Sequence, residues 1–198
     1  MRDVVMAMQT TINGRLDDPE AWVSGIDDDQ YAEIDRRYDG FDSILIGTTT
    51  YAEMFEYWPG ALEADTGFVD SNAKINRRMA EKMNAYRKYV FTRQPASGAL
   101  AWNNSERVVA ATDDDLVRFV TELKEQPGRD LHLAGGAALV QDFVRLGLID
   151  RYRLLVYPVH SPGACWFDKV ARLPDLRVDG VDHYPNDVIG IDYRVVRD

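Results

Sequence analysis

The sequence has few of the residues that build metal centres or covalent cross-links. Its 198 residues include one cysteine, Cys165, and three histidines, His132, His160 and His183. A single cysteine excludes an intrachain disulfide, and three scattered histidines supply no ligand set for a structural zinc ion. We therefore expect no bound metal, and we expect Cys165 to be a core or loop thiol.

The sequence also lacks long apolar runs and an excess of positive charge. No stretch approaches the roughly 20 apolar residues of a membrane-spanning helix, and the first residues lack the cationic and apolar regions of a signal peptide. The 23 lysine and arginine residues against 33 aspartate and glutamate residues give a formal net charge of -10. This charge argues against nucleic acid and anionic membranes as partners. We therefore expect a cytoplasmic protein.

Composition and pattern together indicate an α/β domain. The chain is 45% hydrophobic and 28% charged, and no linker or repeat divides it, so we expect one domain over residues 1–198. Buried-strand patterns alternate with helices expected at 29–37, at 71–86, after Thr112 and after Gly136. An alternating run predicts a terminal hairpin between residues 173 and 196. We therefore predict a mostly parallel central sheet, flanked by helices, with an antiparallel C-terminal edge.

Two adjacent glycines stand where an apolar strand turns directly into a helix. The segment 131–140 reads Leu-His-Leu-Ala-Gly-Gly-Ala-Ala-Leu-Val, which places Gly135 and Gly136 at the junction. Without Cβ atoms the backbone there can approach a ligand closely, and the following helix presents free N–H groups and the positive end of its dipole. The pattern indicates a phosphate site, although a tight strand-to-helix connection gives the same pattern.

Two further strand ends carry groups that favour anions. The candidate ligand-contacting residues at these two ends are Gly47, Thr48, Thr49, Thr50, Thr92 and Arg93. Helix capping is the alternative for the threonines, and a solvated surface position is the alternative for the arginine. Three such ends at one sheet edge favour a single extended ligand with several negative charges.

The order of these segments resembles the dihydrofolate reductase-like superfamily, and in particular the reductase domain of riboflavin biosynthesis. The resemblance covers nearly the whole chain. It rests on the segments 4–14, 46–51, 92–93, 135–136, 147–150 and 157–159. It implies the three-layer fold of that superfamily and an NADPH-dependent reductase, similar to the 5-amino-6-(5-phosphoribosylamino)uracil reductase, that acts on a small planar heterocycle or imine.

The resemblance also implies which residues hold the cofactor. In the family, amides at the Gly-Gly turn and after the earlier glycine hold the pyrophosphate, the Thr-Arg pair approaches the adenosine phosphate, and two further positions flank the nicotinamide. Carried over, the cofactor-binding residues are Ala7, Ile12, Gly47, Thr48, Thr49, Thr50, Thr92, Arg93, Gly135, Gly136 and Ala137. Family members often have Arg or Lys just after the first glycine, whereas this chain has Thr48 and Thr49, so one phosphate-binding charge is missing. Arg93 is the reason to expect NADPH rather than NADH.

For catalysis, the resemblance points to the start of the first helix. Folate reductases carry there an acidic residue that assists protonation, and the matching residues are Asp27, Asp28 and Asp29. A carboxylate in a partly apolar pocket can keep its proton near neutral pH, whereas ordinary helix capping is the alternative.

A second group of residues is expected to contact the substrate. The candidates are Asn13, Trp22, Tyr51 and Trp58, of which the three aromatic residues could form a wall for a planar ring. Filling of the core is the alternative for these aromatic residues. Asn13 replaces the aspartate of the riboflavin-type loop, which puts that particular substrate in doubt.

Two classes of function stay open. The first is the NADPH-dependent reductase. The second is a non-catalytic nucleotide-binding or stress-related protein that has kept the fold, and the replacements at Asn13 and at Thr48 and Thr49 keep this alternative open. In both cases we expect a small-molecule ligand and a homodimer formed through the hairpin of residues 173–196, as relatives of the riboflavin reductase commonly show.

Overall fold

The computed structural model describes residues 1–63 and 73–197, in which strands alternate with helices along the chain. The strands are β1 Val4–Thr11, β2 Phe41–Gly47, β3 Arg87–Thr92, β4 Ser105–Val109, β5 Asp130–Gly135, β6 Arg151–Tyr157, β7 Leu176–His183 and β8 Ile189–Val195. The α-helices are α1 Asp28–Tyr38, α2 Thr48–Tyr57, α3 Ala73–Ala85, α4 Asp113–Glu125 and α5 Ala137–Arg145.

All the strands join one sheet in the order β4-β3-β2-β5-β1-β6-β8-β7. The first six positions of this order pair in parallel, while β8 pairs antiparallel with both β6 and β7. The predicted fold class is therefore confirmed, including the antiparallel C-terminal edge. The helix predicted at 71–86 is observed as α3, and its first two predicted positions lie outside the described residues.

The central strands are buried on both faces, which explains their continuous apolar sequences. Val4 and Met6 pack with α4 and α5, and Val5 between them packs with α1 and α3 on the other face. All three side chains have no exposed surface. Successive side chains of a strand point to opposite faces, so a strand covered by helices on both sides requires apolar residues at every position.

Two helices begin at side-chain caps. Oδ1 of Asp27 accepts a hydrogen bond of 2.8 Å from the backbone N–H of Gln30 at the start of α1. At α4, Thr112 Oγ1 accepts from the N–H of Asp115, whose carboxylate accepts from the N–H of Thr112. This reciprocal pair is a capping box, so the capped helix predicted after Thr112 is confirmed. Among the described helices, none has both the length and the apolar character needed to cross a membrane.

Candidate functional site

An open cleft of about 620 Å³ lies at the carboxyl edge of the parallel strands. Its walls come from the ends of β1, β2, β3 and β5, from the first turns of α2 and α5, and from the loop 16–19. In parallel α/β sheets this edge is where ligands bind, because the backbone there opens towards solvent between a strand and the next helix. The cleft is thus in the position that the strand-end motifs predicted.

Most of the residues predicted to bind a cofactor lie together at this cleft. The predicted residues that line it are Gly47, Thr48, Thr49, Thr50, Thr92, Arg93, Gly136 and Ala137. Gly135 is the last residue of β5 and is not itself part of the cleft lining. Ala7 lines a second cavity, which is described below. Ile12 lines neither cavity, and its side chain is 64% exposed.

The glycines at the cleft allow two strand ends to approach each other closely. A Cβ on Gly136 would lie 2.8 Å from Thr50 Oγ1, and a Cβ on Gly47 would lie 3.5 Å from the Gly136 nitrogen. Gly135 has a φ of 109°, which side-chain-bearing residues rarely adopt. The glycines therefore bring the starts of α2 and α5 side by side.

The starts of α2 and α5 are bare. Gly47 and Gly136 occupy their N-cap positions, no described side chain caps either helix, and neither first turn contains an acidic residue. The first N–H groups of a helix have no partner within the helix, and its dipole leaves partial positive charge at this end. Two such ends facing one cleft form a binding site for anionic groups.

The side-chain charges of the cleft are mostly negative. Among residues 1–63 and 73–197, Arg93 is the one basic residue in the lining, and the acidic ones are Asp17, Asp18, Glu53 and Asp142. Asp17 and Asp18 are neutralised locally, because the buried Arg15 binds Asp17 through Nε at 2.9 Å and Asp18 through Nη2 at 3.2 Å. An anionic ligand would therefore be attracted mainly by backbone amides.

Arg93 is already engaged by carboxylates. Its Nη2 lies 2.6 Å from Asp142 Oδ2 and 3.1 Å from Asp113 Oδ1. Arg145 contacts the same two aspartates, Asp113 at 2.7 Å and Asp142 at 3.2 Å. The hydrogen bond to Asp142 raises the pKa of Arg93 above its ordinary value. Two arginines and two aspartates thus form a ring of ion pairs at the rim of the cleft, so Arg93 is not the free cation that the sequence suggested.

A second cavity of about 230 Å³ adjoins the cleft. It lies between α1, α2 and the face of the sheet formed by β1, β5 and β6, and Met8, Gln9 and Ala134 line both cavities. A ligand bound along the cleft would therefore end beside the second cavity. No local pattern in the sequence predicts this second cavity, because its walls come from segments far apart in the chain.

One histidine lies at the second cavity in its neutral form. His132 is 2% exposed, and its Nε2 lies 3.1 Å from the carbonyl oxygen of Ala7 and 3.3 Å from the hydroxyl of Tyr38. Burial lowers the pKa of His132 to about 4, although the hydrogen bond to Ala7 opposes the shift. His132 is therefore uncharged near neutral pH. Its one N–H proton is on Nε2, because the Ala7 carbonyl oxygen can only accept a hydrogen bond.

The three aspartates predicted as catalytic lie at the start of α1. None of them lines the cleft or the second cavity. Asp28 and Asp29 are exposed in the first turn of the helix, whereas Asp27 is half-buried. While its Oδ1 caps α1, its Oδ2 is buried without a hydrogen-bond partner among the described residues.

The residues predicted to contact the substrate lie outside both cavities. Trp22 packs edge-on against Tyr157. Tyr51 of α2 is buried and Trp58 at the end of α2 is partly buried, and both belong to the apolar cluster that includes residues of α3. The side chain of Asn13 donates to the Ser161 carbonyl at 2.9 Å and accepts from the Ser161 N–H at 3.2 Å. These three rings therefore form no wall at the cleft, because they pack against other apolar groups instead.

The structure adds residues that the motifs did not indicate. Met8 and Gln9 of β1 and Asp142 of α5 line the cleft. Asp142 follows Ala138 by four residues, and both line the cleft because residues at this spacing share one face of a helix. That spacing is the signal that could have identified Asp142 from the sequence.

A family model and two curated proteins match this chain. The model of the family described as RibD C-terminal domain matches residues 2–189. The uncharacterized protein YyaP of Bacillus subtilis strain 168 is 28% identical over 153 residues, which are 77% of this chain and 73% of that protein. The uncharacterized protein YwjB of the same strain is 30% identical over 97 residues, 48% of this chain and 52% of that protein.

Two solved structures share the fold. A putative riboflavin biosynthesis protein from Shewanella sp. PV-4 has a TM-score of 0.65 at 12% identity, covering 98% of this chain and 99% of that one. A pyrimidine reductase-like protein from Corynebacterium diphtheriae has a TM-score of 0.64 at 17% identity, covering 100% of this chain and 93% of that one.

Proposed function

The chain belongs to the RibD C-terminal domain family, and from this membership and the two adjoining cavities we propose that it is an NADPH-dependent reductase of a small planar heterocycle or imine. The family supports a pyrimidine-reductase-like function. The observation that carries the proposal is the pair of bare helix starts at one cleft, which suits the pyrophosphate of a dinucleotide. The predicted cofactor-binding residues are proposed for that role.

NADPH is proposed over NADH because of Arg93. A guanidinium forms strong charge-assisted hydrogen bonds with a phosphate, and Arg93 is the basic residue of the cleft lining. A 2′-phosphate would share Arg93 with Asp142 and Asp113. We propose that these carboxylates weaken the attraction between Arg93 and the phosphate. The preference for NADPH is then smaller than an unpaired arginine would give.

The second cavity is proposed as the place of the substrate ring. A bound reduced nicotinamide supplies the hydride, and the protein's part is to hold the acceptor carbon beside it and to exclude water. Met8, Gln9 and Ala134 border both cavities, which supports placing the two rings on either side of these residues. Reduction of a C=N or C=O bond also requires a proton at the nitrogen or oxygen.

We propose Asp27 as the source of that proton. Gln30 Nε2 donates to the hydroxyl of Tyr157 at 3.1 Å, so the first turn of α1 rests on the end of β6. Tyr157 lies two residues after Leu155, and Leu155 lines the second cavity. A buried carboxylate oxygen without a partner is costly, which supports a functional role for Asp27. Asp28 and Asp29 are exposed and serve the helix dipole in this proposal.

The proposal is tested by binding first and turnover second. NADPH and NADH are titrated separately into the purified protein, and nucleotide fluorescence and calorimetry report binding. Loss of the reduced nicotinamide's absorbance is then followed with a panel of pyrimidines, pterins and cyclic imines. Saturable NADPH binding and turnover of at least one panel member are expected, whereas absence of binding contradicts the proposal.

A non-catalytic nucleotide-binding protein is the second candidate. The observation that favours it is the occupied state of Arg93 together with the acidic lining of the cleft. Dinucleotide binding without turnover of any panel member would favour this candidate over the reductase.

We also propose a homodimer formed through the terminal hairpin. β7 is an edge strand of the sheet, and its Val178 and Val181 are 53% and 62% exposed. An uncovered edge strand with apolar side chains favours pairing with a second copy. Light scattering at micromolar concentration should give twice the chain mass, and a monomer mass would contradict this proposal.

A further inference from the structure

The second cavity contains charged side chains that differ in how well they are paired. Glu33, Arg37 and Arg153 line it. Glu33 Oε1 accepts from Arg37 Nε at 2.6 Å. Arg37 also binds both oxygens of Asp192 at 2.8 Å each and Asp182 at 2.6 Å. The charges of Glu33 and Arg37 are therefore satisfied within the protein.

Arg153 is the poorly paired cation of the cavity. Its one ion pair within residues 1–63 and 73–197 joins Nε to Asp192 Oδ1 at 3.6 Å. That carboxylate is already held at shorter distance by Arg37. Only 21% of the Arg153 side chain is exposed, so water compensates little of its charge.

The surroundings of Arg153 disfavour a lone charge there. Burial lowers the pKa of Arg153, and the nearby cations Arg151 and Arg37 act in the same direction, although Asp192 and Asp130 oppose them. A guanidinium nonetheless keeps its proton in proteins. A mostly buried, weakly paired cation is destabilising, and an anion that enters the cavity would relieve this cost.

The size of the cavity limits what can enter. Its volume of about 230 Å³ is below the range of roughly 300 to 1,000 Å³ typical of pockets for drug-sized ligands. Ala7 pairs with Arg153 across neighbouring strands, and its small side chain leaves space beside the guanidinium. A single ring with a small substituent fits this space better than a bicyclic pterin or a ring with a phosphoribosyl group.

We infer that the second cavity accepts a single-ring substrate bearing a carboxylate, which the guanidinium of Arg153 binds. The inference rests on the proposed function, because the cleft beside the cavity must hold the hydride donor. A planar carboxylate matches the fork of a guanidinium with two parallel hydrogen bonds. Arg153 would then be a substrate-binding residue that selects for negative charge, while the cavity walls select for size.

Three probes test charge and size separately. Pyrazinecarboxylate and pyrazinecarboxamide have nearly the same shape and differ in charge, and a pterin carboxylate carries the same anion on a bicyclic ring. Each is titrated by calorimetry into the protein, with and without saturating NADP⁺. We expect the pyrazine carboxylate to bind about ten- to a hundred-fold more tightly than the amide, and the pterin carboxylate not to compete with it.

Two variants locate the preference for negative charge. Arg153→Met should abolish the preference for the carboxylate while leaving the amide affinity unchanged. Arg151→Met is the matched control, because Arg151 lies on the same strand but does not line the cavity, and it should keep the preference. Arg153→Lys retains the positive charge but not the forked guanidinium, so it should keep part of the preference for the carboxylate. Circular dichroism checks the fold of each variant.

Several outcomes overturn the inference. Equal affinity for the carboxylate and the amide, no binding of either, a preference that survives Arg153→Met, or competition by the pterin carboxylate would each contradict it. Failure of NADP⁺ to bind contradicts the proposed function, and titrations without NADP⁺ still test the cavity itself. NADP⁺ binding without a preference for the carboxylate leaves the proposed function standing and removes only this inference.

Discussion

Four helices of this protein begin in two different ways. At α1 and α4, the side chains of Asp27 and Thr112 cap the backbone, and aspartates follow in the first turn. At α2 and α5, glycines stand at the N-cap, no side chain in the described part of the chain caps the helix, and no acidic residue follows in the first turn. The first pair satisfies its own N–H groups and dipole, whereas the second pair leaves them open at the cleft.

The difference separates stability from ligand binding within one type of element. A cap and an acidic first turn stabilise a helix by satisfying its free donors and its dipole. The helices at the cleft forgo this stabilisation, and an anionic ligand can supply it instead. Negative charge added at the start of α2 or α5 should therefore weaken ligand binding without harming the fold. Loss of a side-chain cap should lower stability and leave ligand binding unchanged.

The largest effect is expected from converting a bare start into an acidic one. Ala138 is exposed in the first turn of α5 and lines the cleft. Ala138→Glu should weaken NADPH binding roughly a hundred-fold, because like charges about 6 Å apart at an effective dielectric constant of 20 repel by about 3 kcal/mol. Calorimetry measures the affinity, and thermal unfolding should show equal or slightly higher stability.

Ala138→Gln is the matched control for this experiment. Glutamine has the size of glutamate without its charge, so it should reduce NADPH affinity far less. Equal losses for the two variants would show that bulk rather than charge matters at α5, and unchanged affinity in both would place the ligand elsewhere.

The next effect concerns a capped start. Asp27→Asn should lower the turnover rate by roughly a hundred-fold, the usual size of general acid catalysis, and should leave NADPH affinity intact. Asparagine caps helices as well as aspartate does, so the stability of α1 should be preserved. Asp28→Asn is the control and should turn over at nearly the parental rate. A parental rate for Asp27→Asn would reduce this residue to a helix cap.

A smaller effect is expected from the ion pairs around Arg93. Arg93→Ala should weaken NADPH binding about ten-fold and NADH binding little, because only NADPH carries a phosphate for a charge-assisted bond. Asp142→Asn should act in the opposite direction and tighten NADPH binding, because it frees Arg93 from its partner at 2.6 Å. Parallel titrations of both nucleotides measure these changes. Equal effects on NADPH and NADH would show that Arg93 does not bind the 2′-phosphate.

The smallest effect is expected away from the cleft. Thr112→Ala removes the capping hydroxyl of α4 and should lower the free energy of unfolding by about 1 kcal/mol. NADPH affinity should not change, since Thr112 does not line the cleft. Urea unfolding and calorimetry on one preparation give both numbers. A change in affinity comparable to that of Ala138→Glu would remove the distinction between the two kinds of helix start.

The sequence allowed prediction of those parts of the site that are local in the chain. The junctions at Gly47 and Gly136 could be identified because strand, glycine and helix follow each other directly, and both line the observed cleft. The sheet could be predicted for the same reason, since alternating strand and helix patterns restrict the topology. The capping box at Thr112 is local as well.

Features that depend on distant packing could not be predicted. Arg93 and Asp142 are 49 residues apart, so their ion pair is invisible in the sequence. The second cavity exists because Ile34, Met54 and Arg153 meet only after the helices pack on the sheet. Aromatic residues such as Trp22 suggested a ligand surface, but the structure buries it, because a large ring gains most from leaving water.

The most direct test of the central claim is a crystal structure of the protein with NADP⁺. The account predicts pyrophosphate oxygens roughly 3 Å from backbone N–H groups in the first turns of both α2 and α5, with the nicotinamide at the border of the second cavity. A dinucleotide bound elsewhere, or one whose pyrophosphate contacts neither helix start, would contradict it.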